Sequence, residues 1–486
     1  MNTRIIIVMV AIVTMFLQVG AQNPYISPLL WKKGNSIGYE RIPFALEENN
    51  IEQQSYPEPT TFRAVMDKAG TLAEVVGDKL YDIDEIEVIG PINDADFNTL
   101  WKSSFNGQLK AINLEKAVIA GGIVPDQALF HIDEQVDWST ITISTIWLEE
   151  LILPEGVTEI GDFAVAYATN LKSLKIPETV KKIGEAAFTD CISFSPDVFI
   201  LPSSLEHIES QAFYQCLALS GEVILPIGLK SIKDAAFYYA PITAVNFPES
   251  LEYIGSLAFA GSKFTNVCLP NDCWLEWLGG QFYNNWELTE AHFPENATFI
   301  PQSVFGYCPK LKEANIPRNV ERIGQFAFNG TAITNIQFPE TLRRIDQDAF
   351  QGCQLTTIIF PESLTTIETH AFNACKGLES IWCKAMMPPD CIPSDCEETI
   401  DPFSQIDKSI PLYVPVGTKE AYMAAPGWNL FPNIIETNNF PSSVEVVKYQ
   451  ESKNHNGIFD LLVRSIIAPV KGQIYIQKGK KIVFSE

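Results

Sequence analysis

The chain of 486 residues has little basic charge. Its 34 lysine and arginine residues are outnumbered by 59 aspartate and glutamate residues, so the formal net charge is −25. Without a basic excess the protein has no means of displacing counterions from a phosphate backbone, which argues against a nucleic-acid partner. The same charge disfavours docking on an anionic membrane surface. We interpret the acidic surplus as a source of solubility through self-repulsion.

Sequence patterns of common catalytic sites are also missing. The five histidines lie far apart and form no His-x-x-x-His or His-x-His pair. The chain has no Gly-x-Ser-x-Gly turn for a serine nucleophile and no glycine-rich phosphate loop. Adjacent carboxylates are abundant, but among 59 of them adjacency alone predicts no glycosidase pair. We therefore predict no enzyme activity, no cofactor, and no catalytic or metal-binding residues.

Long apolar runs are absent except at the amino terminus. The run Ile5–Leu17 follows one basic residue and precedes the small residues Val19-Gly20-Ala21, which predicts a secretory signal peptide at 1–21. The run is shorter than the ~20 residues that a membrane span requires. Residues 22–60 are interpreted as an extended leader. The mature protein is therefore predicted to be secreted or held at the cell surface, associated with the outer membrane, without a transmembrane span.

What the chain has in abundance is a repeated segment. The stretch FPETLRRIDQDAF at 338–350 recurs as FPESLTTIETHAF at 360–372, and related segments recur every 22 to 25 residues. An isoleucine usually lies six residues after the proline of each segment, and an aromatic residue eleven residues after it. The repeat prolines are Pro154, Pro177, Pro202, Pro226, Pro248, Pro270, Pro294, Pro317, Pro339 and Pro361. A fixed period of this length predicts a solenoid of stacked coils.

The residues directly before each repeat proline alternate in polarity. The positions one and three before the proline are apolar, and the position between them is mostly polar. A period of two predicts a short strand with one buried face, which the proline ends because it has no N–H to donate. Ten stacked strands at about 4.8 Å predict a curved parallel sheet on the order of 50 Å long. The isoleucine and the aromatic residue are expected to fill the core from the return segment.

The stretch LTTIETHAFNACKGLESIWC at 364–383 resembles the BspA-type leucine-rich repeats of Bacteroidetes surface proteins. The resemblance covers residues 148–384. It implies a leucine-rich repeat solenoid, an α/β-type superhelix with a parallel short-strand sheet and turns or short helices as returns. It also implies non-catalytic adhesion to host or extracellular macromolecules, protein or glycan. The alternative is a structural or glycan-capture component of an envelope complex.

Cysteine is scarce, with ten residues in the chain. Five of them lie three residues after the repeat aromatic, where this family often has cysteine: Cys191, Cys216, Cys308, Cys353 and Cys375. We interpret these five as small buried side chains in a turn, not as metal ligands. Their spacing leaves disulfides between adjacent coils open, Cys191 with Cys216 and Cys353 with Cys375. Beyond the last repeat, Cys391 and Cys396 are predicted to form a disulfide.

The segments on either side of the repeats are predicted to close the array. Residues 61–147 are interpreted as degenerate repeats, with residues 61–80 forming a capping helix. Residues 385–436 are predicted to end the array with a last strand and a helix from about Lys419. The linker and tail at 437–486 resemble carboxy-terminal segments of exported Bacteroidetes proteins and are expected to form short strands.

The exposed side of the predicted sheet, which is expected to be the concave face of the solenoid, is the candidate binding surface. The positions two and four residues before each repeat proline form two columns on this side. Between residues 244 and 337 these columns are rich in Asn, Gln, Thr and Glu, a composition that suits a large protein or glycan ligand. No single binding residue is assigned, and the ligand and the oligomeric state stay open. The candidates are Ser173, Val198, Glu222, Ala244, Asn266, Glu290, Glu313, Asn335 and Thr357, with His292, Gln337 and the aromatic residues Trp274, Trp277, Tyr283, Trp286 and Trp382.

Overall fold

The computed structural model of the chain describes residues 59–131, 146–393 and 401–441, with four short strands between residues 458 and 483. The predicted signal peptide, nearly all of the predicted leader and Cys396 lie outside these residues. The disulfide between Cys391 and Cys396 therefore stays a prediction. Within the described segments, no helix has both the length and the apolar character to cross a membrane.

Short strands dominate the secondary structure. In chain order they are β1 (Thr61–Val65), β2 (Glu85–Ile92), β3 (Ala111–Asn113), β4 (Ala117–Ile119), β5 (Ile123–Val124), β6 (Glu150–Ile152), β7 (Glu159–Ile160), β8 (Ser173–Lys175), β9 (Lys182–Ile183), β10 (Val198–Ile200), β11 (His207–Ile208), β12 (Glu222–Ile224), β13 (Ser231–Ile232), β14 (Ala244–Val245), β15 (Tyr253–Ile254), β16 (Asn266–Cys268), β17 (Trp274–Leu275), β18 (Glu290–His292), β19 (Phe299–Ile300), β20 (Glu313–Ala314), β21 (Arg322–Ile323), β22 (Arg344–Ile345), β23 (Thr357–Phe360), β24 (Thr366–Glu368), β25 (Ser380–Cys383), β26 (Asp390–Ile392), β27 (Leu412–Val414), β28 (Ile434–Glu436), β29 (Ile458–Phe459), β30 (Ser465–Ile466), β31 (Ile474–Gln477) and β32 (Lys480–Val483). The α-helices are α1 (Leu72–Val76), α2 (Asp94–Asn106) and α3 (Lys419–Ala424), and the 3₁₀ helices are Gly77–Lys79 and Trp428–Leu430.

Most coils contribute two strands, and most of these strands pair in parallel with their counterparts in the next coil. The strands before the repeat prolines, together with strands that continue the same sheets at either end of the array, form what we call the pre-proline sheets. Their strand orders are β1-β2-β3-β6-β8, β10-β12-β14, β16-β18-β20 and β23-β25-β27-β28. The strands that hold the repeat isoleucine form the isoleucine sheets, in the orders β17-β15-β13-β11-β9-β7-β5 and β19-β21-β22-β24-β26. The predicted solenoid of stacked coils is confirmed.

Most coils have a second strand in the return segment, for which the prediction named turns or short helices. The turns are present, but the described residues between α2 and α3 contain no helix. The repeat isoleucine, such as Ile183 or Ile208, is fully buried from within a two-residue strand. A strand of two residues is too short to show an alternating pattern, so the periodicity of the sequence does not reveal it.

A ladder of turn hydrogen bonds joins the coils along a third side. Ala186, Phe188 and Asp190 donate their N–H groups to carbonyl groups of the next coil, each at 2.8 Å. The residues nine and thirteen after the proline take a left-handed backbone, as in Ala186 (φ 51°) and Asp190 (φ 56°). This arrangement recurs along the array, mostly at residues other than glycine.

The aromatic residues of successive coils stack into one buried ladder. Adjacent ring centroids lie 5.2 to 6.1 Å apart. The ladder comprises Phe188, Phe213, Phe237, Phe259, Phe282, Phe305, Phe328, Phe350, Phe372 and Phe403. Each fully buried ring contributes about 1.5–3 kcal/mol, so this column is a main source of stability. Phe403 extends it beyond the last repeat into the carboxy-terminal segment.

The amino-terminal segment differs from the prediction that residues 61–80 form one capping helix. Residues 61–65 form β1, which pairs in parallel with β2, and only Leu72–Val76 are α-helical. Gly70 (φ 85°) and Gly77 (φ 56°) interrupt the helical backbone on both sides of α1. The longer helix is α2, which begins with a capping box because Asn93 accepts from the Ala95 N–H and Asp96 accepts from the Asn93 N–H.

The carboxy-terminal segment agrees with the prediction of a last strand followed by a helix at Lys419. β27 adds to β25 in parallel, and α3 starts at Lys419. Tyr422 and Trp428 are fully buried and donate hydrogen bonds to the carbonyl groups of Ala385 and Pro389, each at 2.8 Å. In the tail, β29 to β32 pair with antiparallel geometry, which agrees with the predicted short strands.

Candidate functional site

The predicted binding columns on the pre-proline sheets do point away from the core in most coils. Lys175, His292 and Gln337 are exposed, whereas Ile359 at the same position is buried. Two of the amides in this column serve the backbone of the preceding coil. Asn246 bonds both the N–H and the C=O of Leu225, and Asn315 accepts from the Phe293 N–H. These bonds stabilise the stacking of coils.

The aromatic residues named from the sequence do not form one site. Trp274 lies in β17 of an isoleucine sheet, and Trp277 follows it. Tyr283 packs against Tyr307 in the turn region, with ring centroids 5.5 Å apart, and Trp286 bonds the Asn284 side chain. Trp382 lies in β25 of a pre-proline sheet and stacks on Tyr413, with centroids 3.7 Å apart. The structure therefore divides them among three sides of the solenoid.

Sequence reasoning missed the surface of the isoleucine sheets. The residue directly before each repeat isoleucine, or before Leu275 in β17, is at least partly exposed in every coil except that of Ser231, which is buried. Along the array the exposed or partly exposed residues are Glu159, Lys182, His207, Tyr253, Trp274, Phe299, Arg322, Arg344 and Thr366. The run is polar at its start and aromatic at its middle, and it is basic where it reaches Arg322. The residues one position before each isoleucine could be read from the sequence. Because no strand was predicted there, the sequence did not indicate whether their side chains face the core or the solvent.

Cation–π contacts and ion pairs order the middle of this surface. The Lys233 ammonium lies 4.5 Å from the centroid of the Tyr253 ring, and the Tyr253 hydroxyl donates to Glu276 at 3.1 Å. Burial, followed by the charges of Asp234 and Glu276, raises the pKa of the Tyr253 hydroxyl. The phenol therefore stays protonated and serves as a hydrogen-bond donor.

A second cluster of contacts follows in the next coils. The Arg322 guanidinium lies 4.5 Å from the centroid of the Trp277 ring and binds the Asp346 carboxylate at 2.8 Å. Arg344 binds the same carboxylate at 2.8 Å and also binds Glu368. Asp346 is almost fully buried, so its charge needs compensation, and the two guanidinium groups provide it. These pairs hold the side chains of the surface in fixed positions.

The isoleucine sheet is broken between β17 and β19, although both strands lie in the described residues. In other coils the residue after the isoleucine donates its N–H to the isoleucine carbonyl of the preceding coil, as Gly184, Gly255 and Gly324 do at 2.8 to 2.9 Å. The equivalent residue after Ile300 is Pro301, which has no N–H. The proline therefore removes a bond that would join the two strands.

A groove of about 210 Å³ lies at this break. Its walls include Trp274, which is 52% exposed, and Phe299. Asn271, Asp272, Asn296 and Thr298 add polar groups, and the Asn296 amide donates to Asp272 at 2.9 Å. Beside the groove, Trp277 and Phe299 meet edge to face, with centroids 5.2 Å apart. Aromatic surface and convergent polar groups in one concave place are typical of a ligand-binding site.

The five repeat cysteines are buried, as the sequence predicts, and are not disulfide-bonded. Four of the thiols donate to the carbonyl group of the ladder phenylalanine in the preceding coil at 3.2 to 3.3 Å, and Cys191 donates to Val165 in the same way. Burial raises the pKa of Cys308 and of Cys353 to about 12. These thiols are structural donors and are not nucleophiles at neutral pH.

A sequence profile described as "BspA type Leucine rich repeat region (6 copies)" matches residues 144–263, 195–312 and 298–388. Together the matches extend over just over half of the chain. No match is found among curated proteins.

Three solved structures are similar to parts of this chain. A leucine-rich repeat protein from Bacteroides ovatus is 24% identical with a TM-score of 0.42, and the match covers 48% of the present chain and 59% of the other. A leucine-rich cell surface protein from Faecalibacterium prausnitzii is 23% identical with a TM-score of 0.37, over 60% and 80% of the two chains. The pneumococcal vaccine antigen PcpA is 18% identical with a TM-score of 0.42, over 68% and 87%. The present chain thus spans less than two thirds of the Bacteroides ovatus protein.

Proposed function

We propose a function for this chain from one premise: the chain belongs to the family of proteins with BspA-type leucine-rich repeats. It is a non-catalytic binding protein, exported to the cell surface, that adheres to host or extracellular macromolecules. The predicted signal peptide supports export, and the resemblance of the tail to exported Bacteroidetes proteins supports a member of that group as the source. Contact is made through side chains on the outer surface of a rigid repeat array.

The observation that carries this proposal is the surface of the isoleucine sheets. Its exposed aromatic and charged side chains lie on strands whose register is fixed by the coils above and below. Arg322 and Arg344 are held by buried Asp346, so little side-chain entropy is lost when a ligand binds. Preformed aromatic and arginine side chains are typical of the residues that dominate binding energy at interfaces.

A second candidate function is glycan capture within an envelope complex. The groove beside Trp274 favours it, because an exposed indole next to amide and carboxylate groups suits a sugar better than a flat protein surface. The two functions share the array and differ in the ligand.

A binding screen with the chain from residue 22 onward tests the proposal. We expect it to bind extracellular matrix proteins or a glycan array, and antibodies to it to label intact cells. The double variant Tyr253→Ala/Arg322→Ala should weaken protein binding at least tenfold, since it removes both clusters of the surface. Ile227→Ala is the matched control because this side chain is 83% exposed and lies outside both kinds of sheet. Absence of binding to either class, together with unlabelled cells, would refute the proposal.

A further inference from the structure

We infer that the groove at the break between β17 and β19 binds one uncharged sugar ring at the end of a glycan chain. This inference rests on the proposed function and names a ligand class for one part of its surface. The groove is a consequence of the sequence, because Pro301 lacks the N–H that joins the strands in other coils.

The size of the groove limits its occupant. Its volume of about 210 Å³ is below the roughly 300–1,000 Å³ typical of pockets for drug-sized ligands. An added peptide strand would have to separate the coils by a further ~4.8 Å. The ladder rings Phe282 and Phe305 below the break remain 5.7 Å apart, within the range of the other coils, so no space for a strand exists. A single six-membered ring is the occupant that fits.

The chemistry of the walls matches that ring. A pyranose presents one face of C–H groups, which pack on the electron-rich face of an aromatic ring, and Trp274 offers a half-exposed indole at the rim. Its hydroxyl groups need donors and acceptors at the edge, which Asn271, Asn296 and Thr298 provide. The bond from the Asn296 amide to Asp272 fixes the direction of both side chains before a ligand arrives.

The charge of the walls selects against acidic sugars. Of the ten residues that line the groove none is basic, and Asp272 contributes a carboxylate. A uronic acid would place a second carboxylate near Asp272 without a cation to pair with it, which is unfavourable. A neutral hexose avoids this repulsion and can donate a hydroxyl to Asp272.

Titration of the full chain with the methyl glycosides of glucose, galactose, mannose and N-acetylglucosamine, and with glucuronic acid, tests the inference. By calorimetry or ligand-observed NMR we expect at least one neutral glycoside to bind with a dissociation constant on the order of 1 mM, as a ligand of about a dozen atoms allows. Trp274→Ala should weaken this binding at least tenfold. Trp286→Ala is the control, since Trp286 is 48% exposed in the same coil but does not line the groove.

Three results would overturn the inference: no neutral glycoside binds, glucuronic acid binds equally well, or both tryptophan variants lose binding to the same extent. Thermal melting of each variant separates lost binding from lost folding, and Trp274→Phe, which keeps an aromatic face, should retain part of the affinity. If sugars fail to bind while matrix proteins bind and Tyr253→Ala/Arg322→Ala abolishes that binding, the groove assignment fails and the proposed function stands.

Discussion

At the scale of single residues, the left-handed positions of the turn ladder show how the coil tolerates many sequences. The position thirteen after the proline holds a residue other than glycine in most coils, namely Tyr167, Asp190, Gln215, Tyr239, Tyr307 and Ala374, whereas three coils have Gly261, Gly330 and Gly352 there. A residue with a Cβ in this conformation costs about 1–2 kcal/mol, so each such coil carries a small strain that the ladder offsets. Glycine is favoured at this position and is not required there.

We expect Gly352→Ala to lower the free energy of unfolding by about 1 kcal/mol. The backbone at Gly352 has φ +70°, and an added Cβ would come no closer than 3.9 Å to any atom, so the cost is conformational and not steric. Gly228→Ala is the matched control, because Gly228 lies outside the left-handed region and has no atom within 4 Å of an added Cβ. Urea titrations should show that the control gains stability, by roughly 0.4–1 kcal/mol. A loss in both variants would contradict the role of the backbone angle.

Asp190 adds a dependence of stability on pH. Burial raises the pKa of its carboxyl from 3.8 to about 6, despite a hydrogen bond from Thr189. Because the folded pKa lies above the unfolded one, the protein loses stability as the pH rises from about 4 to about 6, by at most about 3 kcal/mol.

Asp190→Asn should therefore stabilise the protein at pH 7 and have little effect near pH 4. Asparagine keeps an acceptor for Thr189 and tolerates the left-handed backbone. Melting temperatures measured across this pH range, with the exposed Glu295→Gln as a charge control, check the expectation. Equal stabilisation by both variants at pH 7 would assign the effect to net charge and not to burial of Asp190.

At the scale of the element, the sequence predicts the strand before the proline because three or four alternating residues make a visible period. It does not predict the second strand, since two residues around an isoleucine show none. The same limit applies to the groove. Trp274 was recognisable as an unusual aromatic residue, but its partner Phe299 lies in the next coil. Pro301 stands where other coils have an N–H group that joins two strands of an isoleucine sheet. This effect could be recognised only once the isoleucine sheets were known.

The aromatic ladder is the element on which coil stacking depends most. Phe350 is fully buried between Phe328 and Phe372, with both ring centroids at 5.2 Å. We expect Phe350→Asp to cost several kcal/mol, because it places an unpaired charge in the core and removes the ring contacts with Phe328, Phe338 and Phe372. Equilibrium unfolding followed by circular dichroism measures the loss. Gln337→Asp, at an exposed position two residues before Pro339, introduces the same charge and should change stability little; comparable losses would mean that Phe350 is not a core residue.

At the scale of the whole molecule, an array of coils has two ends that expose apolar rings and strand edges unless something covers them. At the carboxy-terminal end, Phe403 stacks on Phe372 with centroids 5.6 Å apart. β27 pairs with β25, and the buried Tyr422 and Trp428 bond carbonyl groups of the last coil. We interpret residues 401–441 as a cap that ends the ladder.

A chain that ends at residue 441 should keep the melting temperature of the full chain, whereas one that ends at residue 393 should aggregate. The shorter chain would expose Phe372 and the free edge of β25, which together form an apolar surface able to pair with a second copy. Size-exclusion chromatography with light scattering and thermal melting distinguish the two cases. Phe403→Asp in the full chain separates loss of the ladder end from loss of the strand edge, because it leaves β27 in place. If the chain ending at residue 393 stayed monomeric with an unchanged melting temperature, the repeats would be self-sufficient and residues 401–441 would need another role.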